Sequence, residues 1–238
     1  DLLPAFGLPR SISGERMRAG CAGRAFATTP RAMTPDEIEA MFTGEAGFRF
    51  ARWGVPVAPV VFGVEEATLA TVKGAFEAVS VLTGHRMAET DPEFGSNCMM
   101  FFFRDWAELG AVPDLDRIVP DLGRLTARLE AQGAERYRLY RFAEDGSIRA
   151  AFVFLRMGGA LADQPAEDLA LAEAVQVALV WSEAAFADRS PLGVAGGRTI
   201  LRPDVAGLLV ASYDPVLPAS SSDPSLALRL AARMGAGT

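Results

Sequence analysis

From Tyr137 to Met157 the chain reads YRLYRF, AEDGS, IRAAFVFLRM. Two runs rich in aromatic and β-branched residues flank a short polar segment with one glycine. That pattern commits the chain to an antiparallel hairpin, with strands Tyr137–Phe142 and Ile148–Met157. An isolated hairpin has too little to bury, so the rest of the sequence must supply neighbouring strands and covering helices.

It does so in alternation. Val55–Phe62 (VPVAPVVF) reads as a strand, and Pro56 and Pro59 place it at a sheet edge. Glu65–Leu82 reads as a helix with Leu69, Val72, Phe76 and Val79 on one face, stopped by Gly84. A second strand is predicted at His85–Glu89, an Asp91-Pro92 turn after it, and a stronger strand at Asn97–Phe103 (NCMMFFF). Further helices are expected at Asp121–Gln132, from Asp163-Gln164-Pro165 to Ala185, and from Pro203 to Tyr213. Thr34-Pro35-Asp36-Glu37 has the residues of a helix start: a side-chain cap, a proline in the first turn, and acids facing the helix dipole.

Residues 1–33 show little periodicity and read as an extended N-terminal arm. Residues 219–238 read as a C-terminal loop followed by a short helix. With no repeat and no shift in composition, the economical reading is a single α+β domain over 34–218. Its mixed or antiparallel sheet would be packed with helices.

Half of the 238 residues are hydrophobic, enough for a sizeable core. A net charge of −7 argues against nucleic acid as a partner and against electrostatic docking on anionic lipid. No apolar run reaches the ~18–20 residues of a transmembrane segment. The chain opens at Asp1 with neither Met nor an apolar leader, so a signal peptide or lipid anchor is expected to have been removed.

The single histidine, His85, leaves no room for a zinc site built on two or three histidines. The GxSxG, Walker and GxGxxG signatures are also missing, so no metal and no cofactor is expected. His85 follows a predicted helix C-terminus, where a cation suits the dipole. Cys21 and Cys98 are open to two readings. In an oxidising compartment they would pair, contributing roughly 4 kcal/mol through loop closure; otherwise they are buried thiols.

The segment Ala172-Glu-Ala-Val-Gln-Val-Ala-Leu179 is apolar on both sides, with Leu169, Ala172, Glu173, Gln176, Val180 and Glu183 along one stripe. A helix of that kind is sandwiched, and a carboxylate inside it needs partners. Leu82-Thr83-Gly84, Ala172-Glu173-x-x-Gln176 and Ser212-Tyr213-Asp214-Pro215 occur in an order that resembles an uncharacterised family of proteobacterial envelope proteins, often lipoproteins. The resemblance covers about residues 50–218.

That family's helix is similar to the zincin metallopeptidase helix, with Glu and Gln where zincins carry histidines. The resemblance therefore implies a degenerate zincin-like core in the periplasm or cell envelope. In it Glu173 would hold the general-base position, while Ala172 and Gln176 stand where the ligands were. Ala172 has no donor atom, and Ser182-Glu183 replaces the family's Asn-Asp pair. Both departures weaken a catalytic reading.

The expectation is a non-catalytic binding or assembly subunit with a protein or peptide partner, using Glu173, Gln176 and Glu183. The alternatives are a hydrolase of peptide or glycan with Glu173 as its base, or a purely structural accessory subunit.

Overall fold

The hairpin predicted from the sequence forms, and it holds half of the central sheet. A computed structural model of the chain describes residues 33–236. Apart from Met33, the predicted arm lies outside the described residues, as does Cys21.

Helix α1 (Pro35–Phe42) begins on the expected cap. The Thr34 hydroxyl accepts from the Glu37 N–H, and the Glu37 carboxylate accepts from the Thr34 N–H. Three two-residue strands follow: β1 (Thr43–Gly44), β2 (Gly47–Phe48) and β3 (Phe50–Ala51). Strand β4 (Pro59–Phe62) then leads into α2 (Glu66–Thr83), which ends at Gly84 in the left-handed conformation. After β5 (Cys98–Phe103) come a 3-10 helix at Trp106–Ala111, α3 (Leu115–Ile118) and α4 (Leu122–Ala131). The hairpin is β6 (Arg136–Phe142) and β7 (Ile148–Arg156), and α5 (Ala166–Ala178) follows it. The chain continues through β8 (Leu192–Ala195), β9 (Arg198–Leu201), α6 (Pro203–Ser212), β10 (Ser220–Ser221) and α7 (Leu226–Ala236).

The main sheet has the order β4-β5-β7-β6. β4, β5 and β7 are parallel and β6 is antiparallel to β7, so the sheet is mixed. Alternation along β5 and β7 feeds two cores. Met100, Phe102, Val153 and Leu155 pack with residues of α1, α2, α5, α6 and α7. Phe101, Phe103, Phe152 and Phe154 pack with the 3-10 helix, α3 and α4. With both faces covered, the central strands read in sequence as nearly continuous apolar runs. The chain is one α+β domain.

Several expectations change. The strand at Val55–Phe62 starts only at Pro59, although it does lie at an edge. The strand at His85–Glu89 reduces to a single bridge, Val57 to Met87. Val57 exchanges both of its backbone bonds with that segment, and Pro59, next on the same side, has no N–H with which to continue the ladder. Ala195-Gly-Gly-Arg198, for which no hairpin was predicted, is the tip of the β8–β9 hairpin, with Gly196 and Gly197 both at positive φ. Residues 219–238 include the expected loop and helix, but α7 is no appendage: Leu226, Ala227 and Leu230 are buried in the first core, and β10 pairs with β3.

The largest correction concerns α5, which stops at Ala178 and not at Ala185. Leu179 turns extended (φ −136°, ψ 162°) and bridges to Arg52, while Val180 donates its N–H to the Ala51 carbonyl. Strand-like pairing with the β3 region takes over where periodicity alone would have continued the helix.

Candidate functional site

Alanines at 166, 170, 172, 174 and 178 make α5 slender enough to lie close against α2. Its last four carbonyls have no partners within the helix. Each one accepts from an aromatic side chain: Val175 from the Trp181 indole at 3.1 Å, Gln176 from the Tyr140 hydroxyl at 3.1 Å, Val177 from the Trp53 indole at 2.9 Å and Ala178 from the Tyr213 hydroxyl at 2.7 Å. This collar, drawn from four separate segments, fixes the end of α5 without a cation.

One turn earlier, Glu173 has zero exposure. One oxygen accepts from Arg136 Nε at 2.8 Å and the other from an Arg138 terminal nitrogen. Both arginines are on β6, two residues apart and therefore on one face of the strand. Burial pulls the Arg138 guanidinium down, but the charge of Glu173, the influence of Tyr140 and the hydrogen bond to Glu173 together hold the group above its ordinary value. Two guanidinium groups share one carboxylate, so the cluster carries a surplus positive charge. Arg136 keeps 32 % of its side chain exposed and Arg138 18 %. Arg138 Nε is buried with no partner among the described residues.

Beside this cluster runs a groove of about 1250 Å³. One wall is the stripe Pro165, Asp168, Ala172 and Gln176 of α5. β6 forms the floor through Arg136, Tyr137, Arg138 and Tyr140, and Leu129 of α4 closes one end. The segment from Val180 to Pro191 and the β8–β9 hairpin form the far wall. The Thr199 hydroxyl ties that hairpin to Asp168 at 3.0 Å.

The floor is an open sheet edge, since β6 has a strand partner on one side only. The Arg156 N–H bonds to the Glu135 carbonyl, so Glu135 and Arg156 form a hydrogen-bonded pair of the antiparallel ladder. Alternation then places Tyr137, Leu139 and Arg141 in the following hydrogen-bonded pairs. The N–H and C=O groups of Arg136, Arg138 and Tyr140 are left facing outward, and they pair with no described residue.

The predicted site residues separate. Gln176 and Glu183 line the groove, as do Ala172 and Val180. Glu173 does not: it lies beneath the floor, both oxygens engaged. His85 is not among the residues that line the groove; it is half-buried, with Nε2 at 2.9 Å from the Val55 carbonyl and its ring against Tyr213. Cys98 is wholly buried, and burial pushes its thiol far above the ordinary range. Among the described residues no group of three or more His, Cys, Asp or Glu is placed to hold a metal ion. Nor is any described helix long and apolar enough to cross a membrane.

Arg136 and Arg138 were not singled out in the sequence. Part of the signal was present: Arg136 immediately precedes the predicted strand Tyr137–Phe142, so extending it by one residue puts Arg136 and Arg138 on one face, and a buried glutamate needs partners. Comparison with family models, curated proteins and solved structures finds no match.

Proposed function

We propose that this protein is a non-catalytic binding subunit of the bacterial cell envelope, which captures an extended segment of a partner protein along β6. The observation that carries the reading is the open edge of β6 on the floor of a groove walled by α5. Three residues there present unpaired backbone donors and acceptors, and an incoming strand satisfies such groups by β-augmentation.

The degenerate zincin-like reading draws support from the element order: strand, helix, strand, hairpin, then a helix bearing Glu173 and Gln176. Its placement in the periplasm or envelope rests on the family resemblance. Under this reading Glu173 is a vestige recruited as a structural anchor. A hydrolytic role for it has less support, because a general base needs an open face toward a water or substrate, and here two arginines fill both of its faces. The edge used in this reading is β6; β4, the proline-bearing edge, lies at the opposite border of the sheet.

The test is an array of extended eight-residue peptides probed with the full chain, with amide exchange then measured on the complexes of any hits. The reading expects hits that slow exchange at Arg136, Arg138 and Tyr140. An array without hits, or hits that leave those three amides unprotected, would overturn it.

A further inference from the structure

We infer that the segment captured on β6 alternates acidic and apolar residues, its acids facing Arg136 and Arg138. This rests on the strand-capture reading above and specifies the partner's chemistry.

The two faces of β6 differ in kind. Arg136, Arg138 and Tyr140 point toward α5, where they hold Glu173 and the Gln176 carbonyl. Tyr137 and Leu139 point the other way, into the second core beside Leu129. A strand added to β6 in either direction sends every second side chain to each face. On the α4 side those side chains meet Tyr137 and Leu129, an apolar surface.

On the α5 side they meet two guanidinium groups that share a single carboxylate. Arg136 has only its Nε engaged with Glu173, and it lines the groove with 32 % of its side chain exposed. Arg138 also lines the groove, with 18 % of its side chain exposed, while its Nε is buried. Exposed guanidinium nitrogens are donors of the kind that carboxylates take up with charge-assisted bonds. A basic side chain opposite them would repel and a neutral one would leave the surplus charge uncompensated, so charge and register together select an acid. The acids around the groove do not pair with this charge: Asp168 accepts from Thr199, and Glu45, Glu183 and Asp188 are exposed and form no ion pair with Arg136 or Arg138.

The experiment measures binding of three fluorescent heptapeptides to the full chain by anisotropy. They are alternating Val-Glu, Val-Lys and Val-Asn sequences, and each is also made with N-methyl groups on the bonds that would pair with β6. The inference expects Val-Glu to bind at least about tenfold tighter than Val-Asn, the equivalent of one charge-assisted hydrogen bond. It also expects Val-Lys to bind weakest and N-methylation to abolish binding. Arg136→Gln leaves Arg138 paired one-to-one with Glu173, so the fold is retained, and it should bring the Val-Glu and Val-Asn affinities together. On unaltered protein, added salt should weaken Val-Glu binding and leave Val-Asn unchanged.

Equal affinities for the three peptides, all lost on N-methylation, would overturn the acidic preference and leave strand capture standing. Tighter binding of Val-Lys would do the same. If no peptide binds, or N-methylation changes nothing, strand capture of a partner fails as well. A doubled mass in sedimentation would then give the edge to a second copy of the chain.

Discussion

Glu173 is where one side chain has the greatest leverage. A carboxylate with zero exposure depends on its two arginines, and Arg138 in turn depends on it. Removing the shared carboxylate strands both guanidinium groups, at a cost of about 3–5 kcal/mol. Glu173→Ala should therefore lower unfolding stability by about that amount in a denaturant titration. Glu173→Gln keeps an acceptor and should lose less. A loss under about 1 kcal/mol for the alanine variant would mean that the arginines find other partners and that Glu173 is dispensable.

His85 gives a second prediction at this scale. Burial holds its imidazole below the ordinary value and the charges of Arg52 and Arg86 push it the same way, while the bond to Val55 opposes them. The unfolded chain thus binds the proton first as pH falls. Stability should drop as pH goes below the unfolded value of about 6.5, and the loss should level off below the folded value. Replacing His85 with Asn should flatten that part of the stability–pH curve measured between about pH 5 and 8. An unchanged slope would assign it to another group.

At the scale of the element, α5 shows what periodicity can and cannot convey. Its start was legible within a few residues, because Pro165 and the acids Glu167 and Asp168 mark a first turn. Its end was not, since the residues that stop it lie far away in sequence: Trp53, Tyr140 and Tyr213 come from three other segments. The hairpin strands β6 and β7 were read nearly to the residue, because alternation and a glycine turn are local signals. Strands β1, β2, β3 and β10, two residues each, carry no pattern of their own. The candidate site divides the same way: the helix stripe with Gln176 was visible, while the open edge beneath it depends on strand order, which no local pattern encodes.

The aromatic collar can be tested at this scale. Tyr213→Phe removes only the hydroxyl that meets the Ala178 carbonyl, and should cost about 1–3 kcal/mol for a buried acceptor left unpaired. Tyr140→Phe should cost less, because its bond to the Gln176 carbonyl is longer, 3.1 Å against 2.7 Å. If the two variants match the native protein in thermal denaturation, water has replaced both donors and the collar is not what ends the helix.

For the whole molecule, the question is whether two cores mean two folding units. The first core joins α1, α2, α5, α6 and α7 to one face of the sheet, and the second joins the 3-10 helix, α3 and α4 to the other. Every residue of β5 contributes to one core or the other, and neighbours in sequence alternate between them. Neither core can dissolve without exposing the strand that supports its counterpart. α7 binds the C-terminal end to the first core, so the unit extends from α1 to α7. Residues 33–236 should therefore unfold as one cooperative unit.

Phe154→Ala in the second core and Leu230→Ala in the first should each cost about 2–5 kcal/mol and shift the same single transition. The check is calorimetric, with the measured enthalpy compared to the van't Hoff value. A ratio near unity in both variants would make the sheet the coupling element. It would also mean that a segment bound on β6 stabilises the whole domain, because the edge it completes belongs to both cores. Two resolved transitions, each moved by only one substitution, would mean that the layers melt separately, and a bound segment would then protect only the layers it touches.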